Sequence, residues 1–399
     1  MSTVDTYRYY SDSPGTLLSG DEWEKLNESH NPDPNVSLPE GWPQKLEGPL
    51  VWTAEELHKD PESYLYILSE SDLKEIDVAI KNYDSPLDKV NKDTFSLPTL
   101  GPKLEEFSYK LYFGNGVHII RGFPRSKYDE RQSAIAFLGV SSYIGDLRDA
   151  QGLNRALTHI KSIAHIPRSE RAPIGVSQQT TDPQMFHNDF GGDVVSLFVN
   201  EVPKQGGESL VTSGYTVYNE LAAKRPDLLN VLAKPNAFKF RGSPEDGSSL
   251  IHYVDGRFFT QFSTRYFIGF GELERDTSIP ELTEEQKDAF GAYHWIGFQN
   301  ALVHKLQKGD IEYVNNLFLQ HSRLGYEEDI TQGRHVSRLW LRNSKYSAQI
   351  KKPKVTQDKY DAFFPEKYEQ KIPLNEIEED AIKLEAGADS LDKVYSKPK

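Results

Sequence analysis

The stretch Phe186-His187-Asn188-Asp189 runs through Phe190-Gly191-Gly192 into Asp193-Val194-Val195-Ser196-Leu197-Phe198-Val199-Asn200. The β-branched and apolar run predicts a strand over 193–200. On or beside a strand, residues i and i+2 face the same way, so His187 and Asp189 can present an imidazole and a carboxylate to one cation. Gly191 and Gly192 follow directly and allow a ligand or backbone to approach closely. Taken alone the dyad is weak. With 11 His in the chain, a chance His-x-Asp is expected, and a hydrogen-bonded surface pair is its ordinary meaning.

A third ligand has to come from elsewhere. Ile311 to His321 reads as two strands joined at Asn315-Asn316, and His321 closes the second of them. Two His and one carboxylate form the ligand set of non-haem Fe(II) sites that keep coordination positions open. Beyond His321 lies Arg334-His335-Val336-Ser337-Arg338-Leu339-Trp340-Leu341-Arg342, in which Val336 to Leu341 alternates as a strand does. Positions 334, 336, 338, 340 and 342 then share one face. A guanidinium among apolar strand residues requires a partner anion, either a protein carboxylate or a ligand held at two points. Ser209, after the Gly206-Gly207 turn, could donate its hydroxyl to the same anion or be an ordinary turn serine.

Outward from these motifs, Gly116–Gly122 reads as a buried strand and 130–146 as a helix. The run 210–212 reads as a strand and 215–233 as helix broken at Pro226. Ile251 to Phe262 reads as a hairpin turning at Asp255-Gly256. A long helix is expected over 283–307. Thr53-Ala54-Glu55-Glu56 has the capping-box pattern, and Leu73, Ile76 and Ile80 predict an amphipathic helix over about 71–83. Residues 1–50 read as an irregular arm whose aromatics pack it on the body. Residues 51–345 form the main domain, and 346–399 a partly helical extension. The pattern points to a mostly β sandwich or barrel with flanking helices.

Composition narrows the function classes. No apolar run approaches membrane-spanning length, and the net charge of −14 argues against phosphate-backbone partners. Cysteine is absent, so any metal sits on His and carboxylates. Met1 to Asp5 lacks the start of a signal peptide, and a cytoplasmic protein is the expectation.

In order along the chain, these landmarks resemble the TauD/TfdA (taurine dioxygenase-like, clavaminate-synthase-like) family of Fe(II)/2-oxoglutarate-dependent dioxygenases. The likeness runs from the Gly116–Phe123 strand through Phe186–Asp189, Gly206–Ser209 and Gly309-Asp310 to His321 and Arg334. Ser209 stands where Thr is common in the family, and both terminal extensions depart from its pattern. The resemblance implies a double-stranded β-helix (jelly-roll) core, with Fe(II) held by His187, Asp189 and His321. It also implies 2-oxoglutarate held by Arg334 and Ser209, and O2 as oxidant. The expected reaction is oxidation, by default hydroxylation, of a small polar or anionic molecule with release of succinate and CO2. Asp189 disfavours halogenation, because no ligand position is left for halide. Arg338, Asn188, Phe186, Gln178 and Arg265 are the candidate substrate residues. Self-association into a homo-oligomer stays open. The alternatives are a non-haem iron oxidase that needs no 2-oxoglutarate and a non-catalytic jelly-roll binding protein.

Overall fold

The computed structural model describes residues 13–31, 33, 35–162, 177–240, 243–271, 274–328, 333–364, 366 and 368–385. Two sheets face each other. The larger has seven strands, in the order Leu65–Ile67, Val117–Arg121, Ile311–Asn315, Val194–Glu201, His335–Arg342 and Leu147–Arg148, with Leu157–Lys161 also paired to His335–Arg342. The smaller has four, in the order Leu302–His304, Ser209–Ser213, Leu319–Arg323 and Gln184–His187. Neighbours pair antiparallel except at the 65–67/117–121 edge. This is the expected jelly roll with helices around it. The strands at 117–121, 194–201, 209–213, 311–315, 319–323 and 335–342 lie within a residue or two of their sequence expectations.

The 194–201 strand lies in the middle of the larger sheet, with seven of its eight residues buried. A strand covered on both faces reads as a continuous apolar run, the pattern Val194 to Val199 shows. Each fully buried Leu, Val or Phe side chain there contributes roughly 1.5–3 kcal/mol. The helix Glu70–Asn82 starts at a Ser69 capping box and turns Ile76, Ala79 and Ile80 inward. The Asp255-Gly256 turn joins Ile251–Val254 to Arg257–Thr260, with both turn residues at positive φ.

Several elements differ from expectation. The helix foreseen over 283–307 ends at Asn300, and Leu302–His304 turns into a strand. The edge of the 209–213 strand offers ladder hydrogen bonds that a continued helix would forgo, and Leu302 pairs with Val211 there. The arm holds a capped helix, Gly20–Glu28, that anchors on buried Trp23. The helix Leu100–Phe113 was not anticipated, although Leu100, Leu104, Phe107 and Leu111 stand at helical spacing and are all buried.

The C-terminal extension is built into the body. The Tyr360 hydroxyl donates to the Gly192 carbonyl at 2.8 Å. Glu379 forms a buried ion pair with Arg155 and accepts the His159 N–H at 2.6 Å. No described helix is long and apolar enough to cross a membrane.

Candidate active site

His187 ends one strand of the smaller sheet, and His321 lies on the adjacent strand directly opposite it. Cross-strand neighbours have Cβ atoms about 5 Å apart, so this register alone brings the imidazoles together. Their ring centroids are 4.3 Å apart. Asp189 follows His187 as the chain leaves the sheet. Its Oδ1 lies 3.9 Å from His187 Nε2 and 4.0 Å from His321 Nε2. One donor atom from each of the three lies within 4.8 Å of the others, the sole such group among the described residues.

The surroundings orient all three. His187 Nδ1 donates to the Met185 carbonyl at 2.8 Å, which leaves its Nε2 lone pair directed at the common point. Asp189 Oδ2 accepts from Trp340 Nε1 at 2.8 Å and pairs with Arg338 Nη1 at 3.0 Å. The same Nη1 donates to Oδ1 at 3.2 Å, and Oδ1 is the oxygen that faces the histidines. Arg338 Nε is in turn fixed by Gln151 Oε1 at 2.8 Å. Arg338 and Trp340 reach the same carboxylate because they are two residues apart on one face of the 335–342 strand. Asn316 staples the turn, accepting the Asp189 N–H at 2.8 Å and donating to the carbonyls of Asp189, Gly191 and Gly192. A Cβ on Gly191 would stand 2.7 Å from the Trp340 ring. The close approach that the glycines permit is therefore that of the tryptophan holding Asp189.

Electrostatics keeps the donors in their ligating forms. Burial raises the Asp189 pKa, but Arg338 and the two imidazoles outweigh it and bring it to about 2. Burial, reinforced by His321, holds His187 well below the usual imidazole range, and burial also lowers His321. A carboxylate and two neutral imidazoles are the donor set a divalent cation requires. His321 Nδ1 is buried without a hydrogen-bond partner, and no group among the described residues hydrogen-bonds the Nε2 of either imidazole. The residues fit a bound Fe(II).

A cavity of about 580 Å³ adjoins the triad and is lined by His187, His321, Arg334, Ser209 and Arg338 among others. Arg334 is partly buried, and its guanidinium lies 5.8 Å from the Tyr326 ring centre. No carboxylate among the described residues pairs with it. Burial lowers its pKa, a cost that an anionic ligand would remove. Ser209 lines the same space, but its hydroxyl donates to Glu312 at 2.9–3.0 Å. Glu312 is fully buried and also pairs with His304 Nε2 at 2.7 Å.

A second cavity, of about 710 Å³, also borders the triad and is lined by Phe186, Asn188, Gln178, Arg265 and Arg338, together with His187 and Asp189. All five substrate candidates therefore reach one space, but with different freedom. The Asn188 amide is fully used: it donates to the Asn316 and Leu319 carbonyls and accepts from Thr260 Oγ1 and the Phe262 N–H. It is a structural clamp. Arg265 reaches Gln178 Oε1 at 3.2 Å. Trp340, Gln151 and Asn316 had no place in the sequence-based site. For Trp340 the signal was present, since it shares a face with Arg338.

Residues 83–340 match the family model described as "Taurine catabolism dioxygenase TauD, TfdA family". The chain belongs to that family. It is an oxidoreductase of the Fe(II)/2-oxoglutarate-dependent dioxygenase class, with O2 as oxidant and a small molecule as substrate. It is 28% identical over 307 residues to the taurine hydroxylase-like protein SAT17 of Stachybotrys chartarum, spanning 74% of this chain and 79% of the relative. It is 23% identical over 309 residues to the FR-33289 synthase of Streptomyces rubellomurinus, spanning 74% and 89%. An asparagine oxygenase solved with Fe(II), 2S,3S-3-hydroxyasparagine and succinate superposes with a TM-score of 0.55 at 14% identity, over 73% of this chain and 98% of that one. The superposition supports the jelly-roll fold.

Proposed function

We propose that His187, Asp189 and His321 hold the Fe(II), that Arg334 anchors the distal carboxylate of 2-oxoglutarate, and that the enzyme hydroxylates a small polar or anionic molecule. The observation that carries this reading is the convergence of three donor atoms beside a cavity lined by Arg334, which pairs with no carboxylate among the described residues. Bound there, Fe(II) supplies the O2 activation and the oxidative decarboxylation to succinate and CO2 that no side chain provides.

The chain's own residues do the positioning. Trp340 holds Asp189 by Oδ2, and Arg338 reaches both carboxylate oxygens, which together turn Oδ1 toward the two histidines. The Met185 carbonyl fixes the His187 tautomer. Arg334 gives the co-substrate a charged two-point contact and a register relative to the triad. Ser209 Oγ, while it donates to Glu312, can still accept but has no proton left to give. The substrate is read by the wall of Phe186, Gln178 and Arg265 beside the triad, with Asn188 clamping that wall in place. Arg334 favours this reading over a 2-oxoglutarate-independent oxidase, and the complete donor set favours it over a binding protein.

We place 51–345 as the catalytic domain, flanked by the arm 1–50 and the extension 346–399. The net charge of −14 supports a small-molecule enzyme with no nucleic-acid partner. Absence of cysteine fits a reducing cytoplasmic setting. Self-association remains part of the proposal to be measured. The deciding experiment is anaerobic titration with Fe(II), with and without 2-oxoglutarate, followed by a substrate screen that tracks succinate. A visible charge-transfer band that needs both components supports the reading. Its absence from wild type, or its persistence in His187→Ala, refutes it.

A further inference from the structure

Lys359 lies on the helix Lys354–Ala362, in the extension and outside the residues 83–340 that match the family model. Its side chain is buried, with 8% of the residue exposed. Nζ donates to Gln261 Oε1 at 3.1 Å and lies 4.6 Å from the Phe190 ring centre and 4.7 Å from that of Phe240. No carboxylate among the described residues pairs with it. One amide oxygen and two ring faces do not replace the hydration of an ammonium, and a buried cation in that state is costly unless an anion joins it.

The ammonium's position indicates where that anion comes from. Lys359, Thr356 and Tyr360 line a cavity of about 440 Å³ whose lining also includes Asn188, Asp189, Phe190, Ser263 and Tyr266. The same five residues line the larger cavity beside the triad. Of the cations that line the larger cavity, Arg338 is bonded to Asp189 and Gln151, and Arg265 reaches Gln178. The extension therefore brings an ammonium without a carboxylate partner to a wall shared with the reaction chamber.

We propose that the Lys359 ammonium anchors an anionic group of the substrate (a carboxylate, sulfonate or phosphonate), so that the C-terminal helix selects for an acid. This rests on the reading of His187, Asp189 and His321 as the metal site. Burial pushes the lysine pKa down to about 7, with no carboxylate opposing it. A bound anion would restore the charged form.

The test uses the full chain loaded with Fe(II) and 2-oxoglutarate in the absence of air. Short aliphatic carboxylates, sulfonates and phosphonates, each paired with its uncharged amide, are titrated calorimetrically into wild type and Lys359→Met. The charge-transfer band, recorded in parallel, reports the metal site independently. At least one acid should saturate the wild type and bind Lys359→Met at least about tenfold more weakly, while its amide gains nothing from the lysine. The proposal is overturned if acids bind both proteins alike, if amides match acids on wild type, or if no acid saturates wild type while the band forms. Loss of the band in wild type would instead bring down the metal-site reading. If Lys359→Met does not fold, the acid-against-amide comparison on wild type decides alone.

Discussion

Two histidine pairs lie close to the same long strand, and only one of them is joined by a carboxylate. His187 and His321 face each other across a ladder, with no hydrogen bond between the rings and Asp189 Oδ1 about equally far from both. His159 and His335 are diagonal neighbours on adjacent strands, with ring centres 5.0 Å apart, but their nitrogens satisfy one another. His159 Nε2 donates to the Pro373 carbonyl at 3.0 Å, so its Nδ1 accepts from His335 Nε2 at 2.8 Å. Burial, with His159 beside it, lowers the His335 pKa to about 3. Neighbouring imidazoles alone do not hold a cation. The site needs a carboxylate and ring nitrogens left without protein partners.

Alanine substitution should separate the pairs most sharply. His187→Ala or His321→Ala should abolish succinate release, a loss of about 10³-fold or more, with the circular dichroism unchanged. His159→Ala or His335→Ala should keep turnover within about tenfold but lower stability by about 1–3 kcal/mol in chemical denaturation. Equal losses of activity in both pairs would break the contrast.

Arg334→Ala should raise the KM for 2-oxoglutarate by about 10–100-fold, the worth of a charge-assisted hydrogen bond, and steady-state kinetics at varied co-substrate would show it. An unchanged KM would remove the anchor from Arg334. Trp340→Phe keeps the ring and deletes the N–H that fixes Asp189. Fe(II) affinity should fall by about tenfold or more, read by anaerobic titration, and an unaltered affinity would mean that Arg338 alone suffices.

Lys359 extends the contrast to a buried cation. Its folded pKa lies below the unfolded value, so between about pH 7 and pH 10 the unfolded state binds more protons and wild-type stability rises with pH. The stability advantage of Lys359→Met over wild type, without substrate, should therefore be about 2 kcal/mol larger at pH 6 than at pH 9, measured by denaturant unfolding. A gap independent of pH would show that the ammonium is well solvated. The smallest change is expected for Ser209→Ala: about 1 kcal/mol of stability lost through Glu312, with the 2-oxoglutarate KM shifted no more than about threefold. A KM increase as large as that of Arg334→Ala would restore an anchoring role to the serine.

Much of the fold was legible because strand and helix periods are local properties. Val194 to Val199 announced a doubly covered strand, and Asp255-Gly256 announced its hairpin. The end of the 284–300 helix was not legible, because it depends on a strand edge some 90 residues away in the chain. The candidate site divided in the same way. His187, Asp189, His321, Arg334 and Arg338 were found from residue type, order and spacing. The commitment of Arg338 to Asp189 and of Ser209 to Glu312 was not, since both partners lie far off in sequence. Asn188 lines the pocket as expected, but the full use of its amide was hidden for the same reason.

By itself the amino-acid order determined which side chains could share a face and which chemistry they could serve. Alternation at i and i+2 follows from backbone geometry wherever the strand lies. Tertiary structure alone decided which imidazoles meet a carboxylate and which meet each other. It also decided which cations find a protein partner, and it placed Lys359 of a C-terminal helix beside residues that two neighbouring cavities share. Coulomb energy and desolvation depend on distance and burial in space, and neither is fixed by separation along the chain.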